Sequence, residues 1–309
     1  MTGEAAQAGQ LTASLLGTGT AVHVVHVSAC PDSGPACATG AVPPYLHDQW
    51  LEVTELRPVL GWGFTPNVGV EAQVPVRAVR SRITYRQLDG TPFTPPDADL
   101  HHRTETLAGP GDAWLTLRGS LHAGPVRLSA RLGTTLPSGR TEENPFSLGE
   151  AGLRHQHVQF GTGTFNPLTG TEVAWDAGGL AVRGYAQAQW VPAPNEHGYQ
   201  AGHRLSAGAL VEWSALPWLQ LQGGADVLSE APERWDGVVQ QDGNLGRTDV
   251  LVGGGAALTT KDAGRWGLSA RVPVYQHYLG NEDHGGQLTY PVVVQVAWTR
   301  AFGIPAGAR

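Results

Sequence analysis

The chain has 309 residues, with 42 Gly, 22 Pro, 10 Trp and 12 His, and 20 Lys+Arg against 27 Asp+Glu for a net charge of −7. Only 15% of it is charged, against roughly 25% in soluble domains, yet the mean hydropathy is −0.19. No segment supplies the ~20 continuous apolar residues of a spanning helix, 41% hydrophobic residues argue against disorder, and an acidic chain without a basic run argues against nucleic-acid binding.

Residues 1–47 read as an N-terminal extension. Residues 1–10 carry Glu4 and no basic residue, so export is assumed rather than read. Val27-Ser28-Ala29-Cys30 is similar to a lipoprotein cleavage box. His23, His26, Cys30 and Cys37, with His47 beyond, form the densest group of soft ligands in the chain. Three readings stay open. Cys30 and Cys37 of an exported protein can close a disulfide, the group can hold copper or zinc, or the cysteines are lipidated or free.

From there, alternating segments are predicted at 49–64, 66–84, 111–122, 124–136, 155–164, 170–176, 179–191, 203–214, 217–228, 247–259, 263–277 and 287–302. In 113–122, Ala113, Leu115, Leu117 and Leu121 oppose Trp114, Thr116, Arg118 and His122. In the last segment Leu288, Tyr290, Val292, Val294, Val296 and Trp298 share a face with aromatics near both ends. The loop between Gln87 and Pro110, with Asp97, Asp99, His101 and His102, reads as a cation ligand, a lumen constriction or a solvated surface. His155-Gln156-His157 sets two imidazoles on one side of a strand, as a metal clamp or as rim histidines. Pro58, Pro75, Pro273 and Pro291 fall inside predicted strands, where proline removes a ladder hydrogen bond.

About twelve strands, within ten to fourteen, give an all-β fold: an antiparallel up-and-down transmembrane barrel over 48–303 with a tail at 304–309. A soluble sandwich also alternates. The polar faces, however, hold Gln, Ser, Gly and Thr with almost no Lys or Glu, which suits an enclosed lumen better than a water-facing surface. On that assignment Arg77, Arg118, Arg127, Arg131, Arg183 and Arg271 point inward, opposite Glu71, Glu212, Asp226 and Asp249. Inward Arg rings favour anions; the competing reading is that these Arg pair with the carboxylates and plug the barrel. No Gly-x-Ser-x-Gly elbow, phosphate loop or HExxH motif points to an enzyme.

Leu136-Pro137-Ser138-Gly139 before a long loop, Gly161-Thr162-Gly163-Thr164-Phe165 after it, Val272-Pro273-Val274-Tyr275-Gln276, Gly285-Gly286-Gln287-Leu288 and the aromatic last strand carry a resemblance. From Trp50 to Phe302 the chain resembles the outer-membrane barrels named for the meta-pathway of phenol degradation. The resemblance implies a bacterial outer-membrane barrel that passes small, hydrophobic solutes and supplies no catalytic residues, while the inward Arg row adds a leaning toward anions; outer-membrane lipid and solute are the expected partners. Two alternatives stand beside it: a barrel binding copper or zinc through its His/Cys segment, and a structural barrel with a plugged lumen.

Overall fold

The computed structural model describes residues 8–28, 44–95, 103–240, 243–278 and 288–303. Its wall strands are β1 (Leu11–Ser28), β2 (Tyr45–Gly63), β3 (Val68–Gln73), β4 (Val76–Gln87), β5 (Glu105–Pro110), β6 (Ala113–Ala123) and β7 (Val126–Leu136). They continue as β8 (Pro167–Ala177), β9 (Leu180–Gln189), β11 (Arg204–Leu216), β12 (Leu219–Glu230), β14 (Arg247–Thr260), β15 (Gly264–Tyr278) and β16 (Val293–Phe302). A short helix α1 (Pro145–Glu150) and a two-strand ribbon, β10 (Tyr199–Gln200) with β13 (Arg234–Trp235), lie in the loops.

β2 pairs with β3 through Val59–Gly63 and with β4 through Tyr45–Leu56, so β3 and β4 are one strand broken at Val74-Pro75. β5 and β6 are likewise one strand broken at Gly111-Asp112. Twelve antiparallel strands result, and β1, laddered to both β2 and β16, closes the ring. In lipid every backbone polar group must be paired inside the protein, which only closure achieves for strands. No helix among the described residues is long and apolar enough to cross a membrane; the wall crosses by strands.

The strand count matches expectation through two offsetting differences. Leu11–Ser28, expected within the extension, is a wall strand with all 18 residues in register with β2. Its alternation is blurred because Gly17, Gly19 and His23 occupy outward positions where apolar residues would announce a strand. Residues 155–164, expected to be a strand, lie in a long loop. The prolines sit where they cost least. Pro75 occupies the β3–β4 break, Pro273 adjoins the register shift at Val250/Leu251, and Pro291 precedes β16. Pro58 faces the break, its carbonyl accepting from the Val74 N–H at 3.2 Å.

Side chains alternate as a barrel in lipid requires. On β6 Leu117 is 57% exposed while its neighbour Arg118 is 7%. Short turns join the strands at one end, including Gly178-Gly179, whose φ values of 59° and 84° suit a two-residue hairpin. Outward Trp62, Trp175, Trp213, Trp266 and Trp298 gather near that end, with Trp266 and Trp298 6.1 Å apart. Trp190 and Tyr275 face outward near the long-loop end. Two aromatic girdles flanking an apolar band place the barrel in a bacterial outer membrane, short turns toward the periplasm.

Leu132, 65% exposed and midway along β7, faces the acyl chains. Replacing it by Arg is expected to destabilise the barrel by roughly 2–4 kcal/mol, measured by urea titration in bilayers. A neutral effect would put β7 outside the hydrocarbon.

Candidate functional site

The inward face is a column of charges. Glu55 accepts from Arg57 and Arg77, at 2.6 Å from Arg77 Nε, and Arg57 stacks over Trp114 at 5.1 Å. Arg127 meets Glu172 at 3.1 Å. Arg183 binds Glu212 and reaches Asp176 at 3.4 Å. Asp226 accepts from Arg271 at 2.7 Å and from the Tyr185 hydroxyl at 2.7 Å. Gly208 makes room for that group, since a Cβ there would lie 2.5 Å from the Asp226 carboxylate. Nearer the long loops, Arg204 pairs with Glu230 at 3.0 Å and Arg247 with Asp249 at 2.8 Å.

Arg77, Arg118, Arg127, Arg131, Arg183 and Arg271, with the carboxylates Glu71, Glu212, Asp226 and Asp249, all lie on the less exposed face of their strands. Four of the Arg sit in ion pairs. Charges kept from bulk water need partners, and the barrel supplies them from neighbouring strands. Arg118 and Arg131 stand directly opposite each other on β6 and β7, an arrangement in which like charges repel. Arg118 is buried and its Nε–H donates to no partner among the described residues, although Glu71 and Glu172 act on it electrostatically. Sequence reading missed Glu55, Arg57, Glu172, Arg204, Glu230 and Arg247. Strand parity carried the signal for Arg204, Glu230 and Arg247, which share a strand face with Glu212, Asp226 and Asp249.

Across the lumen from β1–β3 to β7–β9 lies a cavity of about 170 Å³. Arg57, Glu71, Gln73, Arg131, Glu172, Tyr185 and Gln187 line it, with Leu16 as its large apolar side chain. Its size is close to the ~150 Å³ of an engineered cavity that admits benzene, but its lining is charged.

At the extracellular end three loops pack into a cap. Val191, Tyr199, Ala201 and Trp235 form its core, with Phe146 of α1 against them. Asn144 caps α1, accepting from the Phe146 N–H at 3.0 Å, and donates to Asp236 at 2.8 Å. The two motifs around residues 136–139 and 161–165 meet at the β5–β6 break. Buried Asp112 accepts from Gly139 N–H at 3.1 Å, and from Thr162 N–H and hydroxyl at 2.8 and 2.6 Å. Gly139 and Gly161 cross so closely that a Cβ on either would lie 2.6 Å from the other's backbone. Asn166, fully buried, donates to the Thr135 and Thr162 hydroxyls.

The histidines do not converge. His23 faces outward, 2.9 Å from Asp48 and stacked on Trp50 at 4.2 Å. His26 is a β1 residue in register with His47. His155 and His157, rings 5.5 Å apart, lie in the cap. Among the described residues no group of three or more His, Cys, Asp or Glu could hold a metal. Cys30, Cys37, His101 and His102, expected as metal ligands or a disulfide, lie outside the described residues, as does the tail 304–309.

No protein-family model matches the chain, and neither does any curated protein. Solved structures do. The COG4313 outer membrane channel from Pseudomonas putida F1 superposes with a TM-score of 0.62 at 13% identity, covering 97% of both chains. The fold is that of an outer-membrane β-barrel. The Ralstonia pickettii toluene transporter TbuX (TM-score 0.43, 9% identity, 96% of this chain and 90% of that one) is a more distant match. So is the Pseudomonas putida toluene transporter TodX (0.42, 8%, 96% and 91%).

Asp112→Asn or Gly161→Ala is expected to expose residues 137–166 to protease at least several-fold faster while the barrel stays folded, read by gel mobility and digestion mapping. Burial first, and then the charge of His155, pulls the His157 pKa down to about 4 from its ordinary 6.5. A depressed histidine pKa favours the closed cap fully above pH 6.5, and that preference declines as pH falls toward 4. Protease sensitivity of the loop is therefore expected to rise between pH 7 and 4, and His157→Phe to remove that rise.

Proposed function

We propose that this chain is a narrow outer-membrane channel for small polar solutes, with a leaning toward anions, and that it belongs with the phenol meta-pathway barrels its ordered motifs resemble. The observation that carries the reading is the lumen. Inside a closed wall, a cavity large enough for a single-ring molecule lies among charged and amide side chains, with the Arg118–Arg131 pair beside it. A solute of that size would exchange hydration for these donors and acceptors as it passes. An anion would also relieve the repulsion between the two guanidiniums. The charged lining favours polar or carboxylate-bearing solutes over pure hydrocarbons. That the molecule as a whole has a net charge of −7 makes the inward Arg excess on β6–β7 a local feature of the lumen.

One observation favours a second reading. Ion pairs knit the inward face from strand to strand, as a structural barrel with a filled lumen would need.

Planar-bilayer recording of the folded protein under a salt gradient separates the two. The channel reading predicts small discrete steps and a reversal potential of anion sign. Arg118→Gln with Arg131→Gln is expected to lower the anion-to-cation permeability ratio by about twofold or more, since rings of Arg set that sign. Silence from protein shown to span the bilayer supports the filled barrel, and cation preference overturns the anion leaning.

A further inference from the structure

On the outer face, one sector departs from the apolar pattern. Ten residues of β2 separate Trp62, in the periplasmic girdle, from Glu52. At ~3.3 Å per residue and a tilt of ~40° that is a rise of about 25 Å, the height of the hydrocarbon band. Glu52 and the residues above it thus meet the headgroups of the outer leaflet. There β4 turns Arg80, Arg82 and Arg86 outward on alternate positions. Arg80 and Arg82 are 58% and 50% exposed and share the single carboxylate of Glu52, at 3.8 and 2.6 Å. Arg86, further out, is exposed and makes no ion pair among the described residues.

The neighbouring strands complete the surface. His23, Trp50 and Arg82 stand in register across β1, β2 and β4, with the imidazole flat on the indole. Trp50 is 42% exposed, as befits an interfacial aromatic with one wet edge. Elsewhere the wall presents Trp190, Leu205, Ser229, Thr248 and Tyr275 outward near its long-loop end. Among the described residues, outward guanidiniums on the wall strands at this end are confined to β4.

From this placement we infer that β4 and its neighbours form a docking site for a phosphate-bearing lipid of the outer leaflet. A guanidinium fork matches two phosphate oxygens at once, and basic residues beside the membrane surface attract anionic headgroups. Three guanidiniums against the two carboxylates Glu52 and Asp48, the latter held by His23, leave the patch cationic on a molecule whose net charge is −7. Trp50 and the outward Leu56 and Val76 below it give the acyl chains a surface continuous with the apolar band. The site lies on the outer wall, so it stands independently of what the lumen passes.

The test is binding of diphosphorylated lipid A to the folded full-length protein in detergent, followed by native mass spectrometry, with the dephosphorylated lipid as control. Retention of the phosphorylated form alone is expected. Arg80→Ala, Arg82→Ala and Arg86→Ala together are expected to weaken it about tenfold or more, the equivalent of ~1.4 kcal/mol. Glu52→Gln, which releases two guanidiniums, is expected to tighten it. That gain cannot come from a misfolded variant. Equal retention of the dephosphorylated lipid, or by the triple variant, overturns the proposal. Displacement by millimolar inorganic phosphate assigns the site to a free anion and overturns the lipid assignment.

Discussion

A sheet in lipid has no water to satisfy its edges, so the molecule depends on the ladder that β1 makes with both β2 and β16. Everything else follows from closure. Once the ring is shut, each strand has one face for acyl chains and one for the enclosed volume, and the period of two divides the sequence between them. The breaks at Val74-Pro75 and Gly111-Asp112 are tolerated because they lie side by side, where Gly111 N–H donates to the Pro75 carbonyl at 2.7 Å, and because Asp112 ties the adjoining loop to the wall.

Enclosure also decides what the lumen contains. Charged side chains held away from bulk water are costly unless paired, and neighbouring strands of the ring bring long inward side chains within reach of one another. Glu55, Glu172, Glu212 and Asp226 each accept from at least one inward Arg. The result is a passage narrowed by its own ion pairs, with a cavity lined by Arg131, Glu71 and Glu172 and two guanidiniums facing each other on β6 and β7. Clustered like charge is where an anionic solute has something to gain by binding.

Much of this was legible in the chain. Where apolar residues fill the outward positions, as with Leu115, Leu117 and Leu121 on β6, alternation alone assigned both the strand and its inward partner Arg118. Legibility failed where side chains on the outward face are small. Gly17 and Gly19 hide β1, because closure needs a backbone there and no apolar signal. It failed again at 155–164, where Val158 and Phe160 alternate for a different reason: Phe160 is 3% exposed and packs on the wall at Gly109. The partners of each Arg were beyond sequence, since register across strands such as Glu172 and Arg127, 45 residues apart, is set by turns and shear and not by spacing. The histidines misled because pairs two or three apart suggest ligands, whereas strand parity sends His23 outward to Trp50 and Asp48.

The central claim is a closed wall around a narrow, wet, charged lumen, and cysteine accessibility in the bilayer tests it most directly. In a chain with Cys30 and Cys37 replaced by serine, Gln187→Cys is to be compared with Leu132→Cys for reaction with a small charged methanethiosulfonate and with a bulky polymer-linked maleimide. The account predicts that Gln187→Cys reacts with the small reagent and not the bulky one, while Leu132→Cys reacts with neither. Reaction at Leu132→Cys, or silence at Gln187→Cys toward the small reagent, would contradict it.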